Sequence, residues 1–593
     1  MSTLFWILSG VLAYTAIAMW LRNRGALPES VRISGPLTTI HTTRGRALLD
    51  RLARPKRFIR AIANLGVGVA LVVMAGTFLL LIFNAIEILS NPPAPTGINT
   101  PQNVLIIPGV NDFLPLTVAV EIVFGLLVAL VVHEGAHGLL CRVEDIEIDS
   151  MGVALFTLLP IGAFVEPDEE STKRADRGDR TRMFAAGVTA NLIVVIVTFG
   201  LLFVPIAGAV SVAPGAAVGG AYPGSPAAES GIGSGDRIVA VDGTPVETPD
   251  ELRDVLSENP NERVTVALHD GRERVVDRRL LVTGVAAVSP LAGENGLSAN
   301  DTIAAVDGEP VRTEAALREA VRDGDVHTFE TANGTTVEGP AGALVAVVPD
   351  APFDAAGAPA GEHVVITAVG DERVVDQRGL SEAIDARAAN ETVTIVAYRD
   401  GERVEYDVEL GSIAAADGTD DDGAYLGVQI AGGVSGVTAD SLGVRSYPAG
   451  QYLSMLTGSA SDSLVGTLLL VTVLPFYSIV DPATDYNFAG FVGTNVPFYE
   501  VSGPLSVLGD PAVFLAANLL FWTGWINLQL AFFNCIPAFP LDGGRILRTA
   551  TEAVVSRLPV SSKSELTRAI TTAIGVTMLA ALSVMLFGPM LLQ

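Results

Sequence analysis

A chain of 593 residues exceeds what one hydrophobic core usually holds, about 250–300 residues, so it contains more than one domain. Its mean hydropathy of +0.45 and its long apolar runs exclude an ordinary soluble protein. Most of the net charge of −28 lies in residues 221–450, where 41 Asp and Glu face 16 Arg and no Lys, which argues against a nucleic-acid surface. With three Lys in the whole chain, this excess of acid resembles proteins of salt-loving microbes, above all halophilic archaea, whose surface carboxylates maintain solubility in brine. Cys141 and Cys535 each end an apolar run and offer neither a disulfide framework nor a thiolate cluster; Cys535 reads as a small apolar filler.

Residues 4–21 form a first apolar run without the basic start of a signal peptide, and are expected to be an uncleaved anchor. Residues 22–60 carry ten Lys and Arg against Glu29 and Asp50, which predicts a cytoplasmic loop and an external N-terminus. A second span over 61–89 leads to an external loop, 91–115, with six Pro. The third span, 116–141, carries Val131-Val132-His133-Glu134-Gly135-Ala136-His137. On a helix, positions i and i+4 share a face, so His133 and His137 can present ring nitrogens to one metal ion, with Glu134 beside it as general base. This is the zinc-hydrolase spacing, set in a stretch apolar enough for lipid, where ionisable side chains are expensive and usually functional.

Residues 152–165 are too short and too interrupted by Gly and Pro to span as a helix, and are expected to be a β-hairpin dipping into the membrane beside the metal helix. The basic run from Lys173 to Arg182 keeps that face cytoplasmic. A fourth span, 183–210, contains Gly187, small enough for close helix approach, and Asn191, an amide inside lipid. Beyond it the acidic region repeats itself: Asp236-Arg237-Ile238-Val239-Ala240-Val241-Asp242-Gly243 recurs at Asp301–Gly308, with a weaker echo at 363–374. Each copy reads as strand, tight turn, strand and amphipathic helix. The apolar stretch 463–480 is expected to lie on the surface or re-enter, because a crossing there would put the next motif on the wrong side. Spans at 511–533 and 566–586 complete the chain. Between them runs Asn534-Cys535-Ile536-Pro537-Ala538-Phe539-Pro540-Leu541-Asp542-Gly543.

Together, His133-Glu134-Gly135-Ala136-His137 and the Asn534–Gly543 motif resemble the site-2 protease family of intramembrane zinc metalloproteases. Gly187, Asn191, the 159–165 stretch and Ser502-Gly503-Pro504 add to the likeness, and the repeats resemble the PDZ domains of envelope proteases. The resemblance implies one Zn2+ per chain held by His133, His137 and Asp542. It also implies Glu134 as general acid/base, with Asn191 and Asn534 as candidates for positioning the peptide. Three ligands and one open place are what a catalytic zinc requires.

The expected fold class is a polytopic α-helical membrane protein of about six spans, a re-entrant hairpin and a surface helix, with an inserted α+β region of two to three PDZ-like repeats. The expected divisions are 1–115, the two N-terminal spans; 116–210, the first half of the metalloprotease core; 211–285, 286–345 and 346–430, the repeats, the third degenerate; 431–510, a connecting region; and 511–593, the second half. The resemblance further implies regulated cleavage of transmembrane protein substrates, already shortened outside, at a plasma-membrane site facing the cytoplasm. Peptide termini are expected to meet the external repeats by strand addition. Two other readings compete: a membrane-anchored protease with a cytosolic site, which the apolar 125–132 stretch disfavours, and a PDZ scaffold with a structural metal, which has no use for Glu134.

Overall fold

The computed structural model describes residues 3–592 except 29, 43, 100–107, 110, 112, 113, 158, 294, 415–422 and 481–483. The middle of the proline-rich loop expected at 91–115 therefore lies outside the described residues. The chain falls into two compact units. One comprises Met1–Ser211, Gly450–Val492 and Glu500–Gln593; the other comprises Val212–Ala449 and Gly493–Tyr499.

In the first unit, five helices are long and apolar enough to cross a membrane: Lys56–Ser90, Leu116–Val143, Arg177–Ala209, Asp510–Asn534 and Lys563–Leu591. They correspond to five of the six expected spans. The first apolar run forms the helix Thr3–Asn23 but is not among those five. Residues 464–480 make a broken helix with Pro475 at its joint, shorter than the ~20 residues that a span needs.

Small residues let these helices meet at backbone distance, the usual solution where lipid supplies no hydrophobic drive. A Cβ on Gly125 would stand 3.0 Å from the Trp522 carbonyl oxygen, and one on Gly524 would enter the ring of Phe199. At the end of the metal helix, the fully buried carboxylate of Glu144 accepts from Arg182 Nε at 2.6 Å and Arg60 Nε at 2.9 Å. Burial alone would raise the Glu144 pKa, but these two guanidiniums hold it below its ordinary value. One side chain thus ties three helices together.

The expected hairpin is present, Ile148–Phe156 paired antiparallel with Leu159–Pro167, but it belongs to a larger sheet. Leu37–His41 pairs with Ile148–Phe156, and Val31–Ser34 pairs outside that. The stretch read as a plain basic loop therefore closes one edge of the hairpin sheet. Leu159–Pro167 forms the other edge and packs on the metal helix, with Gly162 against Leu130.

The second unit contains three sheets of one plan. In the first, Ala216–Ala221, Arg237–Val241, Arg263–Leu268 and Glu273–Asp277 surround the helix Pro249–Glu258. The second uses Leu280–Val285, Thr302–Val306, Val326–Thr331 and Thr336–Pro340 with Glu314–Ala320. The third, the weak echo in sequence, has the full set: Ala343–Val347, His363–Val369, Thr392–Arg399 and Glu402–Glu409 with Gln377–Asp385. Asp242-Gly243 and Asp307-Gly308 take positive φ at both positions, the conformation a two-residue hairpin turn demands. Thr248, Thr313 and Asp376 cap the three helices. The last strand of each sheet comes from 428–446, part of which had been expected to be connecting chain: Val428–Ile430 joins the third sheet, Val437–Asp440 the second and Val444–Ser446 the first.

Burial and the neighbouring Glu314 carboxylate push Asp440 up to about 6, although its Oδ1 accepts from the N–H groups of Leu442 and Gly443. Its stabilising contribution is therefore complete below an unfolded value near 3.9 and is lost as pH rises through about 6. Asp440→Asn keeps the acceptor without the charge. Thermal unfolding of the detergent-solubilised chain should show the variant more stable at pH 7.5, by at most about 3 kcal/mol, with the difference vanishing near pH 4.

Candidate metal centre

His133 and His137 lie one turn apart on the helix Ala119–Val143 and are both buried. The facing helix, Arg177–Leu201, comes close because residue 187 is glycine: a Cβ there would stand 2.5 Å from His133 Cε1 and 2.6 Å from His137 Nε2. The third residue arrives from 405 positions further along. After the helix Asp510–Asn534 the chain turns through Pro537 and a cis Phe539–Pro540 bond, and Asp542 opens the helix Asp542–Val555. Gly543 and Gly544 pack directly on the backbone of that turn, where side chains have no room. Asp542 Oδ2 stands 3.1 Å from both His133 Nε2 and His137 Nε2, which are 3.3 Å from each other.

These separations test whether zinc fits. Bonds of about 2.0–2.1 Å at tetrahedral angles put ligand atoms about 3.3–3.4 Å apart, close to what the three atoms show. The donor set of two imidazoles and one carboxylate is also that of a catalytic zinc site. The ring nitrogens remote from the ligand position are held as such a site needs. His137 Nδ1–H donates to the Met183 carbonyl at 2.7 Å, which leaves Nε2 with its lone pair. His133 Nδ1 meets the side-chain amide of Asn191 at 3.3 Å. The atom facing the ring is the amide nitrogen, while the buried amide oxygen has no hydrogen-bond partner among the described residues; with the amide turned by 180° that oxygen is the fitting acceptor for a protonated Nδ1.

Glu134 lines the same cavity, of about 330 Å³, and its Oε2 accepts from the Val165 N–H at 3.1 Å. The edge of the hairpin sheet thus touches the expected base. Asn534 borders the cavity, with its amide N–H donating to the Leu530 carbonyl. Asn191, in contrast, is fully buried behind His133 and is not among the described residues that line the cavity.

Sequence reasoning missed Arg545. Its guanidinium borders the cavity, lies 3.9 Å from Asp542 Oδ1 and 5.6 Å from the centre of the Phe184 ring, and remains half-exposed. Its spacing three residues after Asp542, at the start of one helix, was the available signal. The Val165 N–H and the Met183 carbonyl are backbone groups and left no signal.

The bundle and its buried ligand trio define the chain as a membrane protein with a metallopeptidase-type centre. The family pattern matches residues 121–582, and the chain belongs to peptidase family M50. It is 26% identical over 252 residues to a putative zinc metalloprotease of Rhizobium meliloti, covering 36% of this chain and 66% of that one. It is 27% identical over 194 residues to the chloroplastic membrane metalloprotease ARASP of Arabidopsis thaliana, covering 26% and 42%. An uncharacterized protein of Methanocaldococcus jannaschii is 41% identical over 80 residues, 14% of this chain and 22% of its own. The chain thus spans less than two thirds of the length of each of these relatives.

Gly187→Ala should force the two imidazoles apart. Zinc per chain, measured by elemental analysis of purified protein, should fall from about one to near zero, while circular dichroism keeps its helical signal.

Proposed function

We propose that this chain is a zinc endopeptidase that cuts peptide bonds within or beside transmembrane segments. The observation that carries this reading is the His133–His137–Asp542 trio and Glu134 facing one cavity between helices apolar enough to span a membrane. His133, His137 and Asp542 would hold a zinc ion, which would supply a Lewis acid to polarise the scissile carbonyl and make a water more acidic. Glu134 takes a proton from the attacking water at its carboxylate and passes it to the departing amine, the task of a general base that then acts as acid. The Met183 carbonyl holds the His137 ring in the tautomer that leaves Nε2 free, and Asn191, with its amide oxygen turned to Nδ1, would do the same for His133. Arg545 is placed to offset the negative charge that develops on the scissile carbonyl oxygen.

A transmembrane helix satisfies its own backbone, so a substrate must unwind to be cut. The open edge Leu159–Pro167 can receive such a segment by strand addition, and it already reaches Glu134 through Val165. The opposite edge is closed by Leu37–His41, which leaves one side for pairing. The basic stretches 22–60 and 173–182 support a cytoplasmic metal site with the acidic repeats, which we read as PDZ-like, on the outer side. There the repeats would admit substrates already trimmed to a short stub.

Glu134→Gln should keep its zinc and lose cleavage of a tagged membrane substrate by about 10²–10⁴-fold, and trimmed stubs should accumulate in the membrane proteome. Cleavage at the wild-type rate would refute the assignment of the base. Arg545→Met should retain zinc and lower kcat by about 10²-fold with little change in KM, Arg545→Lys recovering part of the loss.

A further inference from the structure

The two histidines of the metal centre are steered from behind by different means. His137 Nδ1 donates straight to a backbone carbonyl, that of Met183, which can only accept. His133 Nδ1 meets the side-chain amide of Asn191, and an amide can present either end. A group further back has to select that end.

A second amide stands in the right place. Asn527 lies on the helix Asp510–Asn534 and, like Asn191, is fully buried. Both belong to helices apolar enough to cross a membrane, where an unpaired polar group is costly. Among the described residues, neither amide oxygen has a hydrogen-bond partner.

Helix register brings the two amides to one height. A Cβ on Gly524 would stand 2.8 Å from Thr198 Oγ1, and Ala531 shares a core with Val188 and Ala185. The helices Asp510–Asn534 and Arg177–Leu201 thus run antiparallel, and Asn527 falls level with the 191–195 turn. At about 100° per residue, Asn527 also points between two stripes of its own helix. One, Gly524 and Ala531, meets the helix of Asn191; the other, Trp522 and Ile526, meets Gly125 of the metal helix. Asn527 is therefore aimed into the junction of three helices where Asn191 reaches His133.

The polarity of Asn527 is fixed. Its Nδ2 donates to the Thr523 carbonyl at 2.7 Å, so the amide oxygen is the end left to the junction, where it needs a donor. Asn191 supplies one when its own oxygen faces His133, because its Nδ2 then turns away from the ring. One rotation of Asn191 gives both orphaned oxygens a partner.

We propose that Asn527 is a positioning residue of the metal centre: its amide oxygen receives the Asn191 N–H, directly or through one buried water, and so holds the Asn191 oxygen on His133 Nδ1. The polarity runs one way, from the Thr523 carbonyl through two amides to His133, and leaves Nε2 with its lone pair. His133 is then set by a backbone carbonyl, as His137 is, but at two removes. The inference rests on the reading of the trio as metal ligands and not on peptide cleavage.

Zinc affinity of the full chain in detergent, measured by competition with a chelator, tests it. Thr and Val share a shape, but only Thr can donate to the carbonyl four residues back, as Thr189 and Thr198 do, while still accepting. Asn527→Val should weaken zinc binding by about 10- to 100-fold, and Asn527→Thr by no more than about threefold. In an Asn191→Leu background, Asn527→Val should add nothing, because the relay is already cut. Equal losses from Val and Thr would reduce Asn527 to a packing role and overturn the proposal. Unchanged affinity in Asn527→Val, or additive losses in the double variant, would do the same. If circular dichroism shows Asn527→Val unfolded, the pair Asn527→Ala and Asn527→Ser makes the same comparison. A wild-type chain that binds no zinc would instead overturn the reading of the trio, and this inference with it.

Discussion

The structure depends on bringing one carboxylate oxygen to two imidazole nitrogens inside an apolar bundle. Ionisable groups are costly there unless they face one another or an ion, so everything around Asp542, His133 and His137 acts to keep them converged. Glycine at 187 admits the two rings against the neighbouring helix, and glycines 543 and 544 let the turn after Asn534 fold flat enough to deliver the aspartate. Met183 and Asn191 fix the ring faces from behind. At the end of the same helix, Glu144 locks Arg60 and Arg182, so the helix that carries both histidines is tied to two others.

The same helix also connects the metal centre to a sheet. Glu134, one residue from His133, accepts from the backbone of the hairpin strand, so the expected base is held beside the sheet edge that we propose receives an unwound segment. Holding a substrate strand and activating water would then occur on two sides of one carboxylate. The N-terminal strands Val31–Ser34 and Leu37–His41 give the first part of the chain a structural task that its basic composition hid.

The acidic unit solves a different problem. Three small sheets follow one another in sequence, and a single later segment supplies the last strand of each, which links the repeats in one pass. The arrangement also explains why the repeats are followed by 428–446 before the chain returns to the membrane helices.

Much was legible from residue spacing alone. The i, i+4 histidines on an apolar stretch, the proline-broken corner before Asp542 and the positions of five membrane helices all follow from local periodicity, which a helix expresses wherever it lies. The Asp-Gly turns identified the repeats for a similarly local reason: only a few residue pairs accept positive φ twice in succession. What local pattern could not carry was long-range pairing. Leu37–His41 against Ile148–Phe156, 428–446 against three earlier strands, and Asn191 behind His133 rather than in the cavity are matters of which surfaces meet. Backbone groups such as the Val165 N–H bear no side-chain signature at all. Sequence determined the chemistry available at each position; the packing of distant segments decided which groups share a site, because hydrogen bonds and burial depend on neighbours that the chain order does not name.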